Sequence, residues 1–335
     1  MARLAGSCWT RRGRIAMSIA RVAAIGLTSW DRIIVTDDYP EAGSYAIVRQ
    51  TLEQSGGTTS NTAHALSLLG VPVTLVAMVG DDPQGAQLRA DLSDAGCDVR
   101  FVGTRSDEPS DTGVIVVSGH GSDTDRTIFW QQGARLRMGD VLPIDDIFAH
   151  DLVILDVDDP QLRRHIVEQS THVSPRAEIL GTLTYLPELL PADGFEIALR
   201  HKYVIGNERE LRYVTQMNTA DAALDCLRAR MPSSETRFAA ISFGARGCVV
   251  LTLDQMVHVP GFVVDVVDTT GAGDAFAAGV AFGIINRRSP REIGTIGNAM
   301  GALSVRGLGA RTSLPTRDEL ISFLGNDSDL ITSEP

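Results

Sequence analysis

The sequence predicts an α/β protein of three layers, a doubly wound and mainly parallel sheet between helices, carrying a small β-sheet lid. Three observations carry this. Short β-branched runs alternate with segments in which Leu or Ala recurs at helical spacing, the pattern of strands joined by crossover helices. Two stretches break the alternation and are strand-rich without intervening helices. The chain of 335 residues, 44% apolar and 21% charged, is long and apolar enough to bury one large core.

Residues 1–20 carry Arg3, Arg11, Arg12 and Arg14 and no acidic residue, yet lack the continuous apolar stretch of a secretory signal. They are expected to be a disordered extension, with Met17 as an alternative start. The domain itself is expected to span residues 21–325. Val22–Gly26 is its first strand, and Asp31–Gln54 the first lid segment. A helix at Asn61–Leu69, a strand at Val73–Val79 and a helix at Gly85–Ala95 follow. Residues 101–130 form the second lid segment, in which Thr112–Val117 and Thr127–Trp130 pair antiparallel around the polar Gly119–Arg126 loop. Leu152–Val157, Tyr203–Ile205, Phe238–Ser242 and Cys248–Leu251 are further strands, Asp221–Ala229 a further helix, and Val263–Val267 is expected to be extended. Residues 326–335 are expected to be a flexible tail.

A formal net charge of −12 argues against general attraction to nucleic acid or to an anionic membrane, so a polyanionic ligand must be held locally. No apolar run reaches the roughly 18 residues of a membrane-spanning helix. The four cysteines, Cys8, Cys97, Cys226 and Cys248, are scattered without metal-ligand spacing, which fits a reducing cytoplasm and excludes a structural zinc site.

The most informative segment is Asp268-Thr269-Thr270-Gly271-Ala272-Gly273-Asp274, followed by a run of small apolar residues. Gly271–Asp274 reads as a turn at a helix start. Such a turn aims free backbone N–H groups, reinforced by the helix dipole, at an anion, and glycine lets phosphate approach the backbone. The same dipole is expected to keep Asp274 ionised, ready to accept a proton from a substrate hydroxyl while the Ala272 and Gly273 amides stabilise charge on a transferring phosphoryl group. An isolated Gly-x-Gly-Asp reads rather as a tight turn with a helix cap. It is neither a Walker loop nor a dinucleotide fingerprint.

Asp268–Ala281 resembles the C-terminal signature of the ribokinase-like PfkB carbohydrate kinases. Gly57-Thr58-Thr59-Ser60-Asn61-Thr62-Ala63, with Gly70 and Gly80 beyond it, resembles their N-terminal signature. The resemblance implies a ribokinase-like fold, ATP with magnesium, and a sugar or sugar-like alcohol phosphorylated at a primary hydroxyl. It makes Asp274 the base and Gly271, Ala272 and Gly273 the anion hole. Asn207-Glu208-Arg209-Glu210 is similar to the family's Asn-x-x-Glu motif, with Glu210 near magnesium through water, although alone it reads as an acidic helix start. Ser242 to Gly247 resembles the nucleotide loop, with Ser242, Gly244 and Gly247 as contacts beside Asn207 and Asn298; alone it is a plain turn. Asp268, Thr270, Ser304, Gly309 and Ser313 are candidate ligands of a monovalent cation, K+ being the expected one.

For the acceptor, the resemblance implies Asp31, Gly56, Gly57 and Asn61, with Asp158 at the end of the Leu152–Val157 strand. Two departures stand out: Thr58 replaces the lysine of ribokinase itself, and Asp158 a glutamate. Arg126 is expected to be a solvated loop arginine and His64 a packed helix residue. Aromatic residues, at 5%, disfavour a nucleoside acceptor, and Arg126 with few neighbours disfavours a phosphosugar. A non-catalytic sugar or nucleotide sensor would not need Asp274, Gly271–Gly273 and Glu210 together. The edge of the lid sheet is expected to pair with a second copy as a homodimer.

Overall fold

The computed structural model describes residues 20–119, 125–173, 178–186 and 191–332. The N-terminal extension other than Ala20, and the tip of the Gly119–Arg126 loop, lie outside the described residues. Thirteen strands are described: β1 (Val22–Gly26), β2 (Ser29–Thr36), β3 (Val48–Gly56), β4 (Val73–Gly80), β5 (Asp98–Arg105), β6 (Thr112–Ser118), β7 (Asp125–Gln131), β8 (Leu152–Asp156), β9 (Glu178–Thr182), β10 (Tyr203–Asn207), β11 (Phe238–Ser242), β12 (Cys248–Thr252) and β13 (Met256–Val259). The helices are α1 (Thr58–Leu68), α2 (Pro83–Asp94), α3 (Ile144–Ile147), α4 (Pro160–Val173), α5 (Pro191–Ala198), α6 (Glu208–Thr215), α7 (Ala220–Arg230), α8 (Ala272–Ile285), α9 (Pro290–Ser304), α10 (Arg317–Leu324) and α11 (Asp329–Thr332).

The main sheet runs β13-β12-β11-β10-β9-β8-β1-β4-β5, with every strand pointing the same way except β12, which is antiparallel to both its neighbours. Its central strands are apolar on both faces because helices cover both. One core joins α1, α2, α8, α9 and α10 to one face, and two others join α3 with α4 and α5 to α7 to the opposite face. From β1 the chain winds outward to β4 and β5, then returns to the other side of β1 as β8. The order therefore reverses between β1 and β8, which opens a crevice at their carboxyl ends.

The lid is a four-stranded sheet, β3-β2-β6-β7. β6 and β7 are antiparallel as expected, while β2 and β6 run parallel. Register sets its two faces, since directly paired residues project to the same side. Asp31, Gly113 and Trp130 align across three strands, and so do Val35, Val117 and Arg126. The other face carries Ile34, Val114, Val116 and Phe129, the last 53% exposed.

Several expectations need correction. Phe101–Arg105 belongs to β5 in the main sheet rather than to the lid; its polar, edge-strand composition hid an ordinary parallel crossover through α2. Val263–Val267 forms no strand. Pro260 and Gly261 end β13, β13 is already the sheet's edge, and Val263 lies fully exposed. Residues 326–332, expected as part of a flexible tail, lie in a 3-10 turn that starts at Gly325 and in α11, and bury Ile331.

Candidate active site

Two helices, α1 and α8, begin side by side in the crevice, each behind a glycine with positive φ: Gly57 at 94° and Gly271 at 76°. Neither glycine has a side chain to cap the first turn; the Ala272 N–H donates to the Thr269 carbonyl at 3.3 Å and the Ser60 N–H to that of Leu27 at 3.2 Å, while no partner is described for the N–H groups of Gly273 and Asp274, which face a ligand. A Cβ at Gly57 would lie 2.6 Å from the Thr28 backbone, and one at Gly271 2.6 Å from Ala310.

Asp274 sits in the first turn of α8 and accepts a 2.8 Å hydrogen bond from Asn61 Nδ2. Burial, with the Asp156 and Asp31 carboxylates adding to it, pushes its pKa up to about 7, against the pull of Asn61 and Arg126. The sequence argument kept it ionised through the helix dipole. Low solvation and two neighbouring carboxylates outweigh that dipole here.

Asp31 is 5% exposed and accepts a 2.8 Å bond from Ser29 Oγ. Burial raises its pKa to about 6, opposed by Ser29 and Arg311. The carboxyl lies in a slot between two glycines. A methyl at Gly56 would land on its oxygens, and one at Gly113 would lie 2.8 Å from Oδ1. Asp158 is also in the crevice but is already paired, 2.7 Å from Arg135 Nε. Beside it Trp130 donates 2.6 Å to buried Asp111, and its ring stands 5.9 Å from that of Tyr185, whose hydroxyl is 3.1 Å from Thr58 Oγ1. Arg126 is exposed, as expected, but lies on β7 rather than in the loop, and donates 2.7 Å across the crevice to Thr269 Oγ1.

At the other end an open cleft of about 450 Å³ is lined by Asn207, Arg209, Arg212, Ser242, Phe243 and Gly244. Gly247, with φ of 95°, brings its turn against Val259 and Gly261 too closely for any Cβ. Asn207 and Glu210 form a reciprocal cap on α6: Asn207 Oδ1 accepts from the Glu210 N–H at 2.9 Å, and Glu210 Oε2 from the Asn207 N–H at 3.0 Å. Asn298 does not open on this cleft by its amide nitrogen. That nitrogen donates to the carbonyls of Val259 and Pro260, at 3.1 and 3.0 Å, and ties down the end of β13.

The profile of the pfkB carbohydrate kinase family matches residues 19–317. The chain belongs to this family.

Among curated relatives, this kinase is 30% identical to an ATP-dependent ribose-1-phosphate kinase of Halopiger xanaduensis, over 93% of its own chain and all of the relative's. It is 26% identical to a ribokinase of Bacillus subtilis, over 90% and 99%. Its fold is that of Arabidopsis thaliana ribokinase complexed with ribose and ATP, with a TM-score of 0.77, 20% identity and coverage of 92% and 99%. The nucleoside kinase of Burkholderia thailandensis in complex with inosine gives a TM-score of 0.74 at 21% identity, over 90% and 97%.

Glu210 is the residue that would hold magnesium. Burial, with Asp156 adding, raises the Glu210 pKa to about 7, and only one of its carboxylate oxygens is taken by the cap. A half-buried acid that favours losing its charge is a site that a cation bridged by water would relieve. The monovalent set is different. Asp268 accepts from the Thr270 N–H and hydroxyl at 2.9 and 2.7 Å and from the Gly309 N–H at 2.8 Å, while Ser304 Oγ donates to Gly301. The Gly309 bond uses its N–H and leaves its carbonyl without a described partner, and Ser313 packs against Gly307.

Sequence reasoning did not single out Asp156, Asp111, Gly113, Trp130, Tyr185, Arg135 or Arg311. Asp156 was within reach, as a carboxylate ending a strand beside the switch point. The others reach the crevice only through lid register and loop packing.

Proposed function

We propose that this kinase transfers the γ-phosphoryl group of ATP to a primary hydroxyl of a sugar or sugar-like alcohol, with Asp274 as base. The observation that carries the reading is the Asp274 carboxyl, poised near neutral pH beside uncapped helix amides and 2.8 Å from Asn61. Asp31 and the second hydrogen on Asn61 Nδ2 bind acceptor hydroxyls and aim one of them at Asp274. Asp274 takes its proton as the amides of Ala272 and Gly273 receive the charge on the phosphoryl oxygens. Magnesium bound with the nucleotide would neutralise the phosphates, with Glu210 holding it through water. The lid, bearing Asp31 and Trp130, covers the acceptor and excludes water.

One observation favours a narrower reading, an acceptor that itself carries a phosphate. Arg126 projects from the lid face that bears Asp31 and spans the crevice to Thr269, and no carboxylate bond to its guanidinium is described. The test is ADP release from Mg-ATP with free sugars, phosphosugars and nucleosides, in wild type and Arg126→Met. With a phosphosugar acceptor, Arg126→Met is expected to raise the acceptor KM about 100-fold and leave that of ATP unchanged. Equal losses with free and phosphorylated acceptors would remove the narrower reading. No turnover with any acceptor, despite ATP binding, would remove the wider one.

The outer lid face, with Ile34, Val114, Val116 and Phe129, supports a homodimer formed lid to lid, through this face rather than the edge. Equilibrium ultracentrifugation is expected to give twice the chain mass at micromolar concentration; a monomer there would contradict it. Cys97, Cys226 and Cys248 are free, in keeping with a reducing compartment.

A further inference from the structure

We infer that Arg311 is a positioning residue for the base: it fixes which end of the Asn61 amide faces Asp274. The inference rests on Asp274 being the base. Arg311 lies in the loop between α9 and α10. Its Nε donates 2.8 Å to Asn61 Oδ1, and its Nη2 donates to Ser60 Oγ at 2.8 Å and to the Gly56 carbonyl at 3.3 Å.

The argument is one of hydrogen-bond polarity. The two ends of a carboxamide are alike in size and differ in what they offer, so their partners decide which way the group turns. Arginine offers donors only. Asn61 must therefore give it oxygen, which leaves nitrogen for Asp274. An N–H directed at a carboxylate favours its charged form; a carbonyl in that place would favour the acid. Without the guanidinium nothing described holds the Asn61 oxygen, and the amide can turn its carbonyl toward protonated Asp274. Ser60 and Gly56, the other two anchors, belong to the start of α1 and the end of β3, so Arg311 also ties the lid strand to that helix.

The charged groups facing Asp274 are Asp156 from β8, Asp31 from β2, Arg126 from β7 and Arg311 itself, with Tyr185 held neutral by burial. Arg311 also draws on Asp31, so its loss works in the same direction at both carboxyls.

The experiment is kcat against pH from about 5.5 to 9 for wild type, Arg311→Met, Arg311→Lys, Asn61→Ala and the Asn61→Ala/Arg311→Met double variant. Arg311→Met is expected to move the rising limb upward by about one pH unit, costing roughly tenfold in kcat below pH 7 and much less at pH 9. Arg311→Lys keeps a donor and should restore the limb. The double variant should be no slower than Asn61→Ala, because Arg311 acts through Asn61. A loss from Arg311→Met that is constant across pH, or that multiplies with Asn61→Ala, would overturn the inference in favour of a packing role. If Arg311→Met does not fold, Arg311→Gln takes its place with the same two readouts. Asp274→Asn separates the layers. An inactive Asp274→Asn with an unmoved Arg311→Met limb defeats only this inference, whereas a fully active one defeats the base on which it stands.

Discussion

Asp274→Asn is expected to lower kcat by about 10²–10⁴-fold, the range for removal of a general base, while KM for both substrates changes little. Asparagine keeps the shape and can still meet Asn61, but it cannot take a proton. In the wild type, kcat should rise with pH through about 7, the value to which burial and the Asp156 and Asp31 carboxylates bring this group. The same shift fixes the sign of an effect on stability. A carboxyl whose pKa rises on folding holds its proton more tightly in the native state. The stability it adds is complete below the ordinary value of 3.8 and is lost as pH climbs through about 7. Asp274→Asn escapes that loss, so the ligand-free variant should melt above wild type at pH 8 and close to it near pH 4. Near-normal turnover would sink the catalytic role; equal melting temperatures at pH 8 would contradict the raised pKa.

The second large effect is expected from Gly56→Ala. A single methyl would occupy the space now filled by the Asp31 carboxylate, which cannot yield because Gly113 closes the slot from the other side. Displacing this carboxylate removes a charged hydrogen-bond partner of the acceptor, which is worth about 2 kcal/mol or more, so the acceptor KM should rise at least 30-fold. The KM for ATP should stay as it is, because the cleft proposed for the nucleotide is lined from β10, α6, β11 and the turn after β11. Unchanged acceptor affinity in a folded Gly56→Ala protein would mean that Asp31 does not read the acceptor.

What the sequence made legible is what local geometry demands. Gly57 and Gly271 occupy backbone conformations that other residues resist, so the two turns, and Asn61 and Asp274 behind them, could be placed from the motif alone. Partners are a different matter. Asn298 and Asp268 were visible as polar residues, yet their bonds run to Val259, Pro260 and Gly309, positions 38 to 41 residues away that no local pattern connects. Arg126 looked like a loop arginine because its orientation depends on pairing opposite Val117, and a shift of one residue would have turned it to the other face. Trp130 and Tyr185 meet across the lid and the sheet, which an aromatic content of 5% could neither foretell nor deny. Val263–Val267 is the converse case, β-forming residues left without a neighbouring strand.

The cluster of weakened acids has a calorimetric consequence. The formal charge of −12 counts every carboxyl as ionised. With Glu210 and Asp274 each near 7, the crevice instead retains roughly one exchangeable proton at neutral pH, and Asp31 and Asp111, each near 6, add a fraction more. Magnesium held at Glu210, as proposed, would favour the ionised forms and release part of that proton into solution. Complex formation is then expected to acidify its surroundings slightly, and its measured heat to vary with the protonation enthalpy of the buffer.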